Sequence, residues 1–334
     1  MNIILTYFLK IFIALTTTIV LIITSLLHGN LPSSKSLETL WQGTQPPKIT
    51  IQIQDSNSSS NSKFQIPVGL GSIELIAKNL SSLPTMETTT SLSQTIATNV
   101  YIKSGDNAVN ATRLAKASQI IKDISLPTLN AVVGLSPAKN IQVVLFSSPK
   151  TYANALAQAN IDPNSIKSIV ANTGGLTVNT TIWIPLYNLE DNSDLANALS
   201  HELFHACASS QGYGNQLPIW LNEGTAWRVG LTAMQKVNPQ KTSLEMAFLE
   251  ANVRNAAKNG ILLPLNASEN DILNAQYNVE YEDYMAVEQL VKHYNTSTYK
   301  SFIHNLESES ISTDFQNSFN TSIDKFQNSF IKTL

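Results

Sequence analysis

The chain has 334 residues, of which 43% are hydrophobic and 13% are charged, and its formal net charge is -3. This length allows a sizeable core in one large or two smaller domains. Because no block of basic residues occurs, the composition does not support nucleic-acid binding. Cys207 is the only cysteine, which excludes an internal disulfide, and we expect it to be a small buried core residue.

Residues 1–30 predict a signal peptide or an uncleaved N-terminal membrane anchor. Residues 11–27 carry no charge and approach the minimum length of a membrane-spanning helix. No small-x-small cleavage site stands out, which favours the anchor. Lys10 precedes the apolar stretch, so the N-terminus is expected to stay in the cytoplasm and the rest to be exported. A buried N-terminal core helix is the alternative.

Residues 31–105 predict a linker or a small β region of unknown role. The segment 48–54 alternates strictly between polar and apolar residues, as a strand does. Residues 64–80 could hold two more short strands, and residues 81–98 are rich in serine and threonine and weakly structured. This region carries no chemical signal.

Residues 106–213 predict a mixed helix and strand region. Apolar residues from 114 to 124 follow helical spacing, and Pro127 is expected to interrupt or bend that helix. Residues 141–146 predict a buried strand and residues 149–159 a short helix. Residues 176–184 alternate and predict one strand, whose polar face could pair with an extended peptide.

The segment HELFH at residues 201–205 carries the chemistry. It lies in a predicted helix that Ser193 or Asp194 could cap. Residues four apart project from one helix face, so His201 and His205 could share one zinc ion. Glu202 lies about 100° from the first histidine, where it could act as a general base on a water activated by the metal.

Glu223, in the segment WLNEGTAW at residues 220–227, is the best third zinc ligand. The spacing from HELFH is enough to finish one helix, turn, and bring a second helix back. Trp220 and Trp227 place Glu223 on an apolar stripe, where a carboxylate needs a partner such as a metal. Gly224 is expected to let this second helix approach the first. A solvated helix residue is the alternative interpretation of Glu223.

The remaining chain, residues 214–334, predicts a mainly α-helical subdomain. Helices are expected over residues 244–258, 282–294 and 299–306, and a single helix over 315–330. Two copies of FQNSF within the last helix are expected to pack against the core.

HELFH followed by WLNEGTAW resembles the gluzincin zinc metallopeptidases. It is most similar to the bacterial peptidase MA-like domains, whose pattern is HExxH followed by Trp-Leu-x-Glu-Gly-x-Ala. The resemblance runs from about residue 110 to the C-terminus. It implies an α+β, zincin-like (thermolysin-like) catalytic domain, with a small mixed sheet and an active-site helix over residues 106–213 and a helical subdomain with the glutamate ligand over residues 214–334.

The resemblance also implies roles for individual residues. One Zn²⁺ ion would be held by His201, His205 and Glu223, and Glu202 would be the general base. In related enzymes a tyrosine on a later helix stabilises the oxyanion. Tyr281 is the best match to that tyrosine. Tyr284 competes with Tyr281 for the oxyanion role, and simple packing is an alternative for both.

The sequence departs from the family pattern at two places. Thermolysin-like enzymes carry an aspartate four residues after the glutamate ligand, where this chain has Trp227. The aminopeptidase segment Gly-Ala-Met-Glu-Asn has no counterpart around residues 174–183, so an endopeptidase is favoured.

The expected function is therefore an exported or membrane-anchored zinc peptidase acting on peptides or proteins. Two alternatives remain open. One is a catalytically inactive zincin-fold module for binding or assembly at the cell surface, and the other is a metal-independent surface protein.

Overall fold

The computed structural model describes most of the chain from residue 92 onwards. No helix in this described part is both long and apolar enough to cross a membrane. The predicted signal peptide or anchor at residues 1–30 lies outside the described residues. The described ranges are 48–52, 63–67, 73–74, 92–161, 163–268, 271–272, 275–306 and 310–334.

The protein has a mixed α+β fold built on a six-stranded sheet. The strand order is β3-β7-β8-β6-β5-β4, and a separate antiparallel pair is formed by β1 and β2. In the sheet β5, β6 and β8 are parallel, whereas β4 and β7 run against their neighbours β5 and β8. The strands are β1 (Lys48–Gln52), β2 (Lys63–Pro67), β3 (Ile73–Glu74), β4 (Ser93–Ala97), β5 (Val100–Ser104), β6 (Ile141–Phe146), β7 (Leu176–Val178) and β8 (Thr181–Pro185).

Residue 105 is the end of the predicted linker or small β region, and strands on both sides of it share this sheet. β4 and β5 precede that residue, and β5 pairs in parallel with β6 along its whole length. Their inward side chains, such as Val100 and Ile102, are buried in the main core. Pairing between distant segments is a tertiary property, which the local pattern of residues 92–105 does not reveal.

The prediction of one strand over residues 176–184 is wrong, because this segment folds as a β-hairpin. Val178 lies opposite Thr181, which leaves Asn179 and Thr180 as the turn. Asn179 has a φ of 56°, a left-handed conformation that asparagine tolerates. β7 also pairs with β3 at Leu176 and Thr177, and β8 pairs with β6. The strand edges that were expected to bind an extended peptide are therefore already paired with β3 and β6 at those positions.

Pro127 does not end the helix that precedes it. α1 (Ala111–Ile120) passes through a π-helical turn (Ile121–Ser125) directly into α2 (Leu126–Val133). A wider turn before a proline relieves the loss of its N–H group and the crowding of its ring. The next two helices are α3 (Pro149–Gln158) and α4 (Pro163–Asn172).

Two long helices, α5 (Asn192–Gln211) and α6 (Ile219–Val237), pack on each other beside the sheet. Asp191 caps α5, because its side chain accepts from the backbone N–H groups of Ser193 and Asp194. The predicted caps, Ser193 and Asp194, are thus the second and third helical residues, two and three positions past the real cap. Cys207 on α5 is fully buried, as expected, and burial raises the pKa of its thiol.

The C-terminal region is helical, as predicted, but its last helix is divided. The helices are α7 (Pro239–Lys258), α8 (Val279–Asn305), α9 (Ile311–Phe319) and α10 (Ile323–Phe330), with 3-10 turns at Leu186–Asn188, Gly214–Gln216 and Ile331–Thr333. Asn320 takes a left-handed conformation and ends α9, so residues 315–330 form two helices. Asn295 is non-helical and kinks α8. All four phenylalanines of the FQNSF copies are buried in the core.

Candidate metal centre

His201 and His205 lie one turn apart on α5 and are 3% and 0% exposed. The helix forms here because its opposite stripe is apolar. Leu195, Leu199 and Leu203 of that stripe are buried in the main core. This packing turns the face with both imidazoles towards α6.

Glu223 on α6 completes a buried group of three potential metal ligands. Its Oε2 atom lies 3.4 Å from Nε2 of His201 and 3.5 Å from Nε2 of His205. One ligand atom from each residue can be chosen so that all three lie within 4.8 Å of one another. In the described part of the chain, no other group of three such side chains converges in this way.

These three side chains fit a zinc ion. Two imidazole nitrogens and one carboxylate oxygen are a common donor set for zinc sites that keep one position open. Bonds of about 2.0–2.1 Å in a tetrahedron separate the ligand atoms by about 3.4 Å. The distances from Glu223 to each histidine match this separation.

The site favours an ionised Glu223. Burial alone would raise the pKa of this carboxyl group. The charge of His205 and the close approach of both imidazoles outweigh burial and lower the pKa to about 2. A carboxylate that stays ionised at neutral pH is the form that binds metals.

The carboxylate of Glu202 is held by β7. The hydroxyl of Thr177 donates a hydrogen bond of 2.6 Å to Oε2 of Glu202 and lies 3.2 Å from the Glu202 carbonyl oxygen. A Cβ atom at Gly175 would lie 2.6 Å from Cγ of Glu202, so only glycine leaves room for this side chain. Neither contact is predictable from the sequence, because no pattern links residues 175 and 177 to residue 202.

Replacing Thr177 with valine should lower the rate of any reaction that uses Glu202 as a base. Valine keeps the shape of threonine but cannot donate the hydrogen bond, and one such bond to a charged group is worth about 1.5–3 kcal/mol. We therefore expect kcat to fall by roughly 10-fold or more, while zinc content is unchanged. Thr177→Ser retains the hydroxyl and should stay close to the wild-type rate. Equal rates for the valine and serine variants would contradict this role.

A cleft of about 210 Å³ opens beside His201 and Glu202. Trp227 forms part of its wall, and Lys241 and Glu245 on α7 also line it. Lys241 lies 2.7 Å from Oδ1 of Asp194, and further contacts to Glu190 and Asp191 surround its ammonium group with carboxylates. The cleft gives the candidate base and one candidate ligand access to a bound molecule.

The structure buries both predicted oxyanion tyrosines in the apolar cluster that contains Trp227. Tyr281 is 5% exposed and packs edge-on against Trp227 and Phe248. Tyr284 is 6% exposed and belongs to the same apolar cluster. Neither tyrosine is among the described residues that line the cleft. Their positions agree with the packing alternative.

Gly224 adjoins α8 rather than α5. A Cβ atom at this residue would lie 2.2 Å from the carbonyl oxygen of Asp283 on α8. The expected approach of α6 to α5 is found instead at Gly230, where a Cβ atom would lie 2.1 Å from Oδ1 of Asn197. The sequence alone does not show which helix each glycine approaches, because that depends on how α5, α6 and α8 pack together.

Glu282 on α8 should make the protein less stable as pH rises. It is 1% exposed, and burial raises its pKa from 4.5 to about 7, although a hydrogen bond from Tyr277 opposes the shift. Between pH 4.5 and about 7 the folded state binds more protons than the unfolded state. The free energy of unfolding therefore falls by about 3 kcal/mol as the pH rises through this range. Urea unfolding of Glu282→Gln should show a flatter pH dependence than the wild type. The exposed Glu250→Gln is the control, and an equal slope for Glu282→Gln would contradict the prediction.

Comparisons with known proteins do not assign the chain to a family. No protein-family model matches it, and no curated protein is similar at a significant level. Among solved structures, a similar chain is native yeast LTA4 hydrolase, with a TM-score of 0.42 and 12% sequence identity. The match covers 85% of this chain but only 44% of the yeast protein. A likeness of this degree does not transfer an activity.

Proposed function

We propose that the protein is a zinc-dependent peptidase of the gluzincin type, exported or anchored to a membrane by its N-terminal segment. The observation that carries the proposal is the buried convergence of His201, His205 and Glu223 beside a cleft. Glu202 lies between the two histidines in the chain and also lines that cleft. A donor set with one position open, next to a carboxylate, suits hydrolysis by an activated water.

The proposed mechanism assigns proton transfer to Glu202. A zinc ion held by the three ligands would supply Lewis-acid chemistry, which polarises a peptide carbonyl and makes water more acidic. Glu202 accepts a proton from the attacking water and passes it to the leaving amine. Thr177 fixes one oxygen of the Glu202 carboxylate, so the base is oriented before the substrate binds.

We propose a peptide or protein segment as the substrate. A peptide or protein segment bound there brings a scissile carbonyl next to Glu202 and His201, which both line the wall. We favour internal cleavage, because the chain lacks the aminopeptidase segment that recognises a substrate amine. A peptide library with free and blocked N-termini would separate the two: equal cleavage of blocked peptides supports an endopeptidase.

The test is to measure zinc content and peptide hydrolysis for the wild type and Glu202→Gln. We expect one zinc ion per chain in both proteins, and a rate about 10²- to 10⁴-fold lower in the variant, because a positioned general base contributes that much. Glu250→Gln, which changes an exposed carboxylate on α7, is the matched control. A wild type without zinc, or a variant of equal activity, would show that the proposal is wrong.

A second candidate function is a zinc-binding module without turnover. The observation that favours it is the burial of Tyr281 and Tyr284 in an apolar cluster, where neither lines the cleft. Stoichiometric zinc together with no hydrolysis of any library peptide would support this module over the peptidase.

A further inference from the structure

The indole of Trp227 packs against the candidate metal centre. Trp227 lies one helical turn beyond Glu223 on α6 and is 1% exposed. Its ring meets the His201 imidazole edge-on, with the centroids 5.7 Å apart and the planes at 82°. The His201 ring also adjoins His205, with a centroid distance of 4.9 Å. Two rings therefore limit how the His201 imidazole can turn.

The indole is itself fixed by the first turn of α8. Nε1 of Trp227 donates a hydrogen bond of 2.9 Å to Oε2 of Glu280. Asn278 caps α8, and its side chain accepts from the backbone N–H of Glu280, which sets the start of the helix. Tyr281 packs edge-on against the indole at a centroid distance of 5.3 Å. A directional hydrogen bond and a ring contact together hold the indole in one orientation.

We propose that Trp227 and Glu280 are positioning residues that hold the His201 imidazole in its metal-binding orientation. This inference rests on the proposed function, because it requires a zinc site. The last side-chain torsion of histidine is soft, so an unrestrained imidazole loses rotational freedom when it binds a metal. A neighbouring ring that already restricts this torsion reduces the loss.

This arrangement gives position 227 a role, although thermolysin-like enzymes carry an aspartate there. Zinc-binding histidines usually receive their orientation from a carboxylate or carbonyl partner. Here the carboxyl group of Glu280 on a different helix accepts a hydrogen bond from the indole of Trp227, and this indole contacts the His201 ring. Glu280 is not among the described residues that line the cleft, so its replacement changes no residue of the cleft wall.

The first experiment compares Glu280→Leu with Glu280→Gln. Glutamine keeps an oxygen that accepts the indole hydrogen bond, whereas leucine does not. Each metal-free protein is titrated with Zn²⁺ against a competing chelator, after circular dichroism has shown that it is folded. We expect Glu280→Leu to weaken zinc binding about 10- to 100-fold. Glu280→Gln should stay close to the wild type.

A second readout needs no metal. NMR resonances of the His201 ring, assigned with His201→Gln, carry a ring-current shift from the adjacent indole in the metal-free protein. We expect this shift to decrease in Glu280→Leu and to persist in Glu280→Gln. If Glu280→Leu does not fold, Trp227→Phe takes its place, because phenylalanine keeps an aromatic ring but has no N–H donor.

The outcomes separate this inference from the proposed function. Unchanged zinc affinity and unchanged His201 resonances in Glu280→Leu overturn the positioning role, even if the melting temperature falls. If the wild type binds zinc but hydrolyses no peptide, and Glu280→Leu shows both effects, the positioning role is supported and the peptidase proposal is wrong. A wild type that binds no zinc overturns both.

Discussion

Glu223→Gln should abolish zinc binding at concentrations that saturate the wild type. The amide is a poor zinc ligand, and structural zinc sites with four ligands are worth about 10–16 kcal/mol, or roughly 2.5–4 kcal/mol for each ligand. We therefore expect the zinc dissociation constant to rise by roughly 10²- to 10³-fold. Zinc titration with a competing chelator measures the change, and peptide hydrolysis at low zinc should disappear with it.

The control for this variant is again Glu250→Gln, because it removes an exposed carboxylate without touching the three converging side chains. Excess zinc should restore part of the activity of Glu223→Gln, since His201 and His205 remain. A dissociation constant equal to that of the wild type would show that Glu223 does not bind the metal.

Gly224→Ala should cause a large loss of stability. The added Cβ would lie 2.2 Å from the carbonyl oxygen and 2.6 Å from the carbonyl carbon of Asp283, which belong to the backbone of α8. Alanine favours a helix over glycine by about 1 kcal/mol, but this gain is smaller than the cost of forcing two helices apart. We expect a net loss of at least about 2 kcal/mol in the free energy of unfolding by urea.

Gly230→Ala is the matched control, because it makes the same change on the same helix. There the nearest atom is Oδ1 of Asn197, at the end of a half-buried side chain that can turn away, although the Asn197 carbonyl oxygen lies 3.1 Å off. We expect a clearly smaller loss than for Gly224→Ala. Similar losses for both variants would mean that the approach of α6 to α8 does not limit the size of residue 224.

The sequence predicted the helices better than it predicted their limits and partners. Apolar spacing indicated α5 and α6, because a helix that buries one face repeats its apolar residues every three to four positions. The same reasoning joined α9 and α10 into one helix, since a period of 11 fits a continuous helix as well as two short ones. The left-handed Asn320 between them depends on a single backbone conformation that periodicity does not encode.

The strand prediction failed for a related reason. Residues 176–184 alternate in polarity throughout, and a two-residue turn keeps that alternation in step. Only pairing of Val178 with Thr181 shows that the chain reverses. The hairpin places Thr177 on the side of β7 that faces Glu202, which is why this contact could not be predicted.

The oxyanion role of Tyr281 stays a prediction, because a motif in a single sequence does not fix the direction of a side chain. Tyr281 matched the family by order along the chain, but order does not say which side of α8 it occupies. In the structure that side packs on Trp227 and Phe248. The position of a side chain on a distant helix depends on the rotation of that helix, which the packing of the whole core decides.

By itself, the sequence determined the pair of imidazoles and the carboxylate between them. Residues 201, 202 and 205 belong to one helical turn, and their relative directions follow from helix geometry alone. Only the tertiary structure decided what surrounds that turn: Glu223 from α6, Thr177 from β7, and Trp227 held by Glu280. These contacts join residues 18 to 53 positions apart in the chain, and the packing of sheet and helices brings them together.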